Sequence, residues 1–174
     1  MNRDSLDGVV SYLAEEGLKV VTAESCTAGL IASTLAEPPG CGAWLDAAFV
    51  TYSEEAKIDC LEVDEAIIDT YGLTSEEVAR DMAEGALALA HANLGIATTG
   101  VAGPSAGNGE EPVGTVCIAW SFKTADGIHT FTEKLKFDGS RNEIREEATV
   151  YALENIERQH HKLRTVAGQE VTEE

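Results

Sequence analysis

The octapeptide TAESCTAG, Thr22 to Gly29, constrains this chain most, because it stands where an apolar run, Leu18 to Val21, gives way to a helically spaced one, Leu30 to Leu35. That change of period predicts a strand feeding a helix through a short turn, the unit from which parallel α/β sheets are built. The turn carries Ser25, Cys26 and Thr27 side by side. A helix start offers unpaired backbone N–H groups and the positive end of the helix dipole, which favour an anion or a developing oxyanion there. Capping the helix is the other role open to Ser25 and Thr27, and this stretch taken alone suits both.

Around it the pattern repeats. A helix predicted over Asp4 to Glu16, with Val9, Val10 and Leu13 on one face, stops at Gly17 and leads into a strand from Leu18 to Ala23. Pro38, Pro39 and Gly40 then break the chain, and Trp44 to Tyr52 reads as a second strand. Ser53 suits an N-cap with Glu54 and Glu55 in the first turn, which places Lys57 one turn inside the next helix. Asp64 to Tyr71 is a short helix candidate, and Thr74 with Glu77 forms a capping-box pattern ahead of a long helical segment, Val78 to Leu94. Gly95 to Thr99 is a short strand running into Thr99 to Gly114, a loop with five glycines and two prolines. Val113 to Phe122 and Ile128 to Phe137 pair as a hairpin across Thr124 to Gly127, and a capping box at Ser140 and Glu143 opens a helix to about Arg158, with Val150, Leu153 and Ile156 on its apolar stripe. The expectation is one domain over residues 1–159 and a frayed or disordered acidic tail over 160–174. Interleaved helices and strands predict an α/β fold with helices on both faces of a mixed, mostly parallel sheet. Ser25, Tyr52 and Thr99 each follow a strand directly, where ligands of such sheets bind.

Charge narrows the partners. Twelve Lys and Arg against 31 Asp and Glu give a net charge of −19, which repels nucleic acid and anionic membrane surfaces, while 44% hydrophobic residues supply a real core. An acidic, solvated surface of this kind is expected of a halophilic protein that gains stability in KCl. Cys26, Cys41, Cys60 and Cys117 form no CxxC pair and no secretory segment precedes the first helix, so free thiols in a reducing cytoplasm are expected. The four histidines are scattered, and neither a metal site nor a cofactor is expected; no apolar run reaches the ~20 residues of a membrane span.

Lys57 is the residue that joins these fragments into chemistry. A lysine on a helix is ordinarily solvated, but one buried against Ser25 loses pKa and can accept the serine proton, and a Ser–Lys pair cleaves acyl bonds without histidine or metal. Tyr52 can relay that proton, stack on an aromatic substrate, or simply stand at the surface. Backbone N–H groups of the Thr99 to Gly109 loop suit an oxyanion or phosphate, and Arg141 or Arg145, one turn apart, can grip a phosphate bidentately or pair with Glu143 or Glu146.

Taken together, TAESCTAG, FVTYSEEAK, SEEVARDMAEGAL, TTGVAGP and PVGTVCIA resemble, in order and spacing, the CinA C-terminal domain family, whose activity-bearing members are nicotinamide-nucleotide amidases. The resemblance covers about residues 5–158. It implies a three-layer α/β/α sandwich, a homodimer, and hydrolysis of the carboxamide of nicotinamide mononucleotide (NMN) to nicotinate mononucleotide and ammonia. It carries over to Ser25, Lys57 and Tyr52 as catalytic residues, to Thr27, Thr99, Gly100, Gly103 and Arg145 as substrate-binding residues, and to Pro104 within the loop. The amino-terminal nucleotide-pyrophosphatase domain of longer members has no counterpart in this sequence, so a stand-alone form is expected. Two departures stand out: Thr27, Ala28 and Gly29 replace a usual TGG, and Gly40, Cys41, Gly42 and Ala43 replace a usual Gly–Ser–Ser–Ala run. A catalytically silent nucleotide-binding or interaction module of the same fold and an amidase for a related pyridine or pterin are the rival expectations.

Overall fold

Alternation along one strand divides the molecule into layers. In β4 (Thr115–Lys123), Val116, Ile118, Trp120 and Phe122 face one core, while Cys117 and Ala119 face the other. The computed structural model describes residues 1–106 and 111–170, the last five by backbone alone. Its sheet has the order β2-β1-β3-β4-β5, with β1 (Val20–Glu24) parallel to both β2 (Leu45–Val50) and β3 (Leu94–Gly100). The hairpin of β4 and β5 (Ile128–Lys136) extends it antiparallel, so the expected mixed sheet forms.

Helices α1 (Arg3–Glu15), α2 (Leu30–Ala36), α6 (Arg141–Glu154) and α7 (Ile156–Glu170) cover the face of large apolar residues. Helices α3 (Glu54–Leu61), α4 (Glu65–Tyr71) and α5 (Glu76–Leu89) cover the face of small ones. There α5 lies close on the sheet: a side chain at Gly95 would begin 2.6 Å from the Ala83 carbonyl oxygen. The result is the three-layer α/β/α arrangement.

The connection from β1 through α2 to β2 runs over one face, and that from β2 through α3, α4 and α5 back to β3 runs over the other. Strand β1 is therefore a topological switch point, and a crevice opens at the carboxyl ends of the parallel strands.

Some expectations are corrected. The N-cap of α5 is Ser75, whose hydroxyl accepts from the Val78 N–H at 3.2 Å, in place of Thr74. The helix ends at Leu89, before the expected Leu94, because the His91 N–H turns to the Asp46 carboxylate and the Asn93 and Leu94 N–H groups to the Lys19 carbonyl. The chain expected to fray from His160 continues as helix α7 to Glu170, with a break from α6 at Asn155. His160 stacks on Phe122 at 5.3 Å and meets the Tyr12 hydroxyl at 2.9 Å, and Leu163 is buried, so α7 docks through contacts that no local pattern announces.

Candidate active site

Ser25 leaves the end of β1 with its N–H donating to the Thr98 carbonyl of β3 at 2.9 Å. Lys57 reaches it from α3. The Ser53 hydroxyl caps that helix as expected, accepting from the Ala56 N–H at 3.1 Å, and one turn on the Lys57 side chain points inward. Its Nζ lies 3.0 Å from Ser25 Oγ and donates to the carbonyls of Thr51 and Tyr52 at 2.9 and 3.3 Å. Lys57 is 1% exposed and Ser25 7%. Burial pulls the amine down to about 8, against smaller opposing pulls from Cys26 and the Glu54 carboxylate. A neutral Lys57 can donate its two N–H groups to those carbonyls and aim its lone pair at the Ser25 hydroxyl.

The pair opens into a cleft of about 740 Å³, within the range of small-molecule sites. Its lining includes Tyr52, the Asp69–Thr74 segment that spans the end of α4, Thr99 to Gly103, and Arg141. Residues 107–110 of the loop lie outside the described residues. Gly100 and Gly103 line the cleft, and each is glycine for a steric reason. A side chain at Gly100 would begin 2.6 Å from the Thr115 carbonyl oxygen, while Gly103 has φ +85 and faces Val113.

The other predicted residues divide between the cleft wall and the structure behind it. Tyr52 is 57% exposed, and its hydroxyl accepts from Arg141 at 2.8 Å; what it offers Lys57 is its carbonyl. The Thr99 hydroxyl donates to the Leu73 carbonyl at 2.6 Å, which ties one wall of the cleft to the end of β3. Thr27 is fully buried, its hydroxyl bonded to Glu24 and Thr98 at 2.7 and 2.8 Å, away from the cleft wall. Arg145 does not line the cleft either: its guanidinium donates to the carbonyls of Cys26 and Thr27 at 3.1 and 3.0 Å. Arg141 does line it, bonded to the Gly103 carbonyl at 2.6 Å.

The expectation that the α2 start receives an anion of the substrate is corrected by Glu24. Fully buried, its carboxylate accepts from the N–H groups of Gly29, Ile31 and Ala32 at 2.8 to 3.1 Å, so the protein supplies its own anion to that helix end. Sequence reading overlooked Glu24, although an acidic residue just ahead of a helix start was the available signal. Cys26 borders the cleft, and its N–H, still in the turn, donates to no backbone oxygen among the described residues. Burial pushes the Cys26 thiol up to about 11, which leaves it a poor nucleophile. Cys41 sits before β2, at the end of the sheet away from the cleft, packed against the core. Nothing in the sequence marked Tyr71 and Leu73, whose place in the wall depends on how α4 packs against α5.

Among the described residues no group of three or more His, Cys, Asp and Glu is placed to hold a metal, and no helix is long and apolar enough to cross a membrane.

Known proteins share this fold. The chain is similar to the competence damage-inducible protein A (ComA) of Klebsiella pneumoniae, with a TM-score of 0.81 at 35% identity over 86% of this chain and 91% of that one. It is similar also to the competence/damage inducible protein CihA of Agrobacterium tumefaciens, with a TM-score of 0.79 at 40% identity over 87% and 90%. In sequence it is 44% identical to a CinA-like protein of Mycobacterium tuberculosis over 154 residues, and 41% identical to one of Akkermansia muciniphila over 148. These matches take in 88% and 85% of this chain, which spans about a third (35%) of each of those longer relatives. The CinA C-terminal domain matches residues 3–160, and with nearly the whole fold inside that match, the chain belongs to the CinA C-terminal domain family.

Proposed function

We propose that this chain is an amidohydrolase that cleaves the carboxamide of NMN to nicotinate mononucleotide and ammonia. The observation that carries the reading is the buried amine of Lys57 at 3.0 Å from Ser25 Oγ, at the bottom of a nucleotide-sized cleft. Neutral Lys57 takes the Ser25 proton as Oγ attacks the amide carbon. The carbonyl electrons collect on an oxyanion, and the Cys26 N–H, which has no backbone acceptor among the described residues, is suited to receive it. The Lys57 ammonium then protonates the leaving nitrogen, the C–N bond breaks and ammonia departs, leaving an acyl ester on Ser25. Lys57 then deprotonates a water that attacks the acyl carbon, and as the ester C–O bond breaks it passes that proton to Ser25 Oγ, releasing nicotinate mononucleotide and restoring the Ser25–Lys57 pair.

Arg141 and the Gly100 to Gly103 backbone are the groups suited to the phosphate, and Tyr52 and Tyr71 offer aromatic faces to the pyridine. Each step uses protein groups, so a metal-independent reaction is part of the reading. A homodimer and a cytoplasmic setting go with it through the family resemblance. The test is ammonia release from NMN by the purified chain, read with and without EDTA. Catalytic release unaffected by chelation supports the reading, and its absence at micromolar enzyme overturns it.

A further inference from the structure

We propose that Glu24 and Arg145 are positioning residues that clamp the nucleophile turn from its two sides and thereby set the Ser25–Lys57 separation; this rests on Ser25 and Lys57 being the reacting pair. A fully buried carboxylate is a costly way to cap a seven-residue helix when Ser or Asn serves at less desolvation cost. Its reach explains the choice. The Glu24 side chain gathers the Thr27 hydroxyl and the N–H groups of Gly29, Ile31 and Ala32, so one rigid group spans the turn and the first turn of α2. The same residue's backbone carbonyl accepts from the Thr51 N–H at 3.0 Å, and the Thr51 carbonyl in turn holds Lys57. From the opposite side the Arg145 fork takes the Cys26 and Thr27 carbonyls. Ser25 thus sits between a residue held by its carboxylate and a residue held by its carbonyl. Neither charged group borders the cleft, so both act through the turn.

Misplacing reacting atoms by about 1 Å costs on the order of 100-fold in rate, which sets the expected size. Glu24→Gln keeps the shape but turns a donor toward N–H groups that need an acceptor; Arg145→Met keeps the stem and drops the fork. Each variant is expected to lower kcat for NMN by about 100-fold with KM within about threefold of wild type, because the cleft walls are untouched. Crystal structures of wild type and variants read the Ser25 Oγ to Lys57 Nζ separation without reference to substrate, and it is expected to widen beyond hydrogen-bond reach. Should Glu24→Gln fail to fold, Thr27→Val removes one hydroxyl from the clamp and is expected to show the same split at smaller size. A wild type that releases no ammonia overturns the proposed function, with the structures still deciding the clamp. Variants that melt earlier but keep the wild-type separation, or keep kcat within about twofold, overturn the clamp and leave Glu24 a helix cap.

Discussion

The amine of Lys57 and the hydroxyl of Ser25 meet at 3.0 Å inside the protein, although 32 residues of chain separate them. With that amine pulled down to about 8, only about one tenth of it is neutral at pH 7. The expected outcome is a kcat/KM for NMN that climbs nearly tenfold per unit below pH 8 and levels off above it. Lys57→Ala and Lys57→Arg are both expected to lose about 1000-fold or more, since a guanidinium stays protonated. A pH–rate series from 6 to 10 checks this; an Arg variant of near-native kcat would assign the base elsewhere.

Ser25→Ala is expected to bind NMN and lose turnover by orders of magnitude, whereas Cys26→Ala keeps it at a stability loss of about 1 kcal/mol for the small buried thiol. An acyl adduct on Ser25, caught by intact mass after rapid quenching, distinguishes covalent catalysis from a lysine-activated water. Loss of activity in Cys41→Ala with retention in Ser25→Ala would move the nucleophile to the Gly40 to Ala43 run.

Ala28 takes the left-handed conformation, φ 51, at the position where the family's usual TGG has glycine. The conformation costs an L-residue about 1–2 kcal/mol, while glycine's freer unfolded chain returns about 0.5–1. Ala28 is exposed, so no packing is lost on substitution. Ala28→Gly should therefore raise stability by up to about 1 kcal/mol with kcat unchanged, as urea unfolding and steady-state rates would record.

A phosphate-bearing substrate must approach a chain of net charge −19, with Asp69 and Glu111 also bordering the cleft. Salt screens that repulsion over a Debye length of about 10 Å at 0.1 M and about 3 Å at 1 M. KM for NMN is expected to fall and the melting temperature to rise between 0.1 and 1 M KCl. Arg141→Ala, which removes a cation from the cleft, should raise KM roughly tenfold or more at low salt. A melting temperature that falls across this range would refute the halophilic reading of the surface.

Much of this protein was written in short windows of its sequence. The period change across TAESCTAG, the caps at Ser53 and Ser140, and the apolar runs of β2 and β4 are local signals, because a helix or strand repeats within a few residues. Placing Ser25, Tyr52 and Thr99 at strand ends already put the cleft at one edge of a sheet. The roles of individual side chains followed a different logic. Thr27, Thr99 and Arg145 carry functional chemistry in their residue types, yet their polar atoms are committed to Glu24, Leu73 and the turn carbonyls. His160 looked like solvent-exposed tail until Phe122 and Tyr12 gave it a surface to dock on.

The sequence by itself determined the alternation of elements, the family and the Ser25 turn, since each depends on neighbours a few residues apart. Only the tertiary structure decided that Lys57 faces Ser25 with its water removed, that Glu24 occupies the helix start, and that Arg141, not Arg145, borders the cleft. Burial and partner distance are set by residues far along the chain, and those quantities fix a pKa or a hydrogen bond.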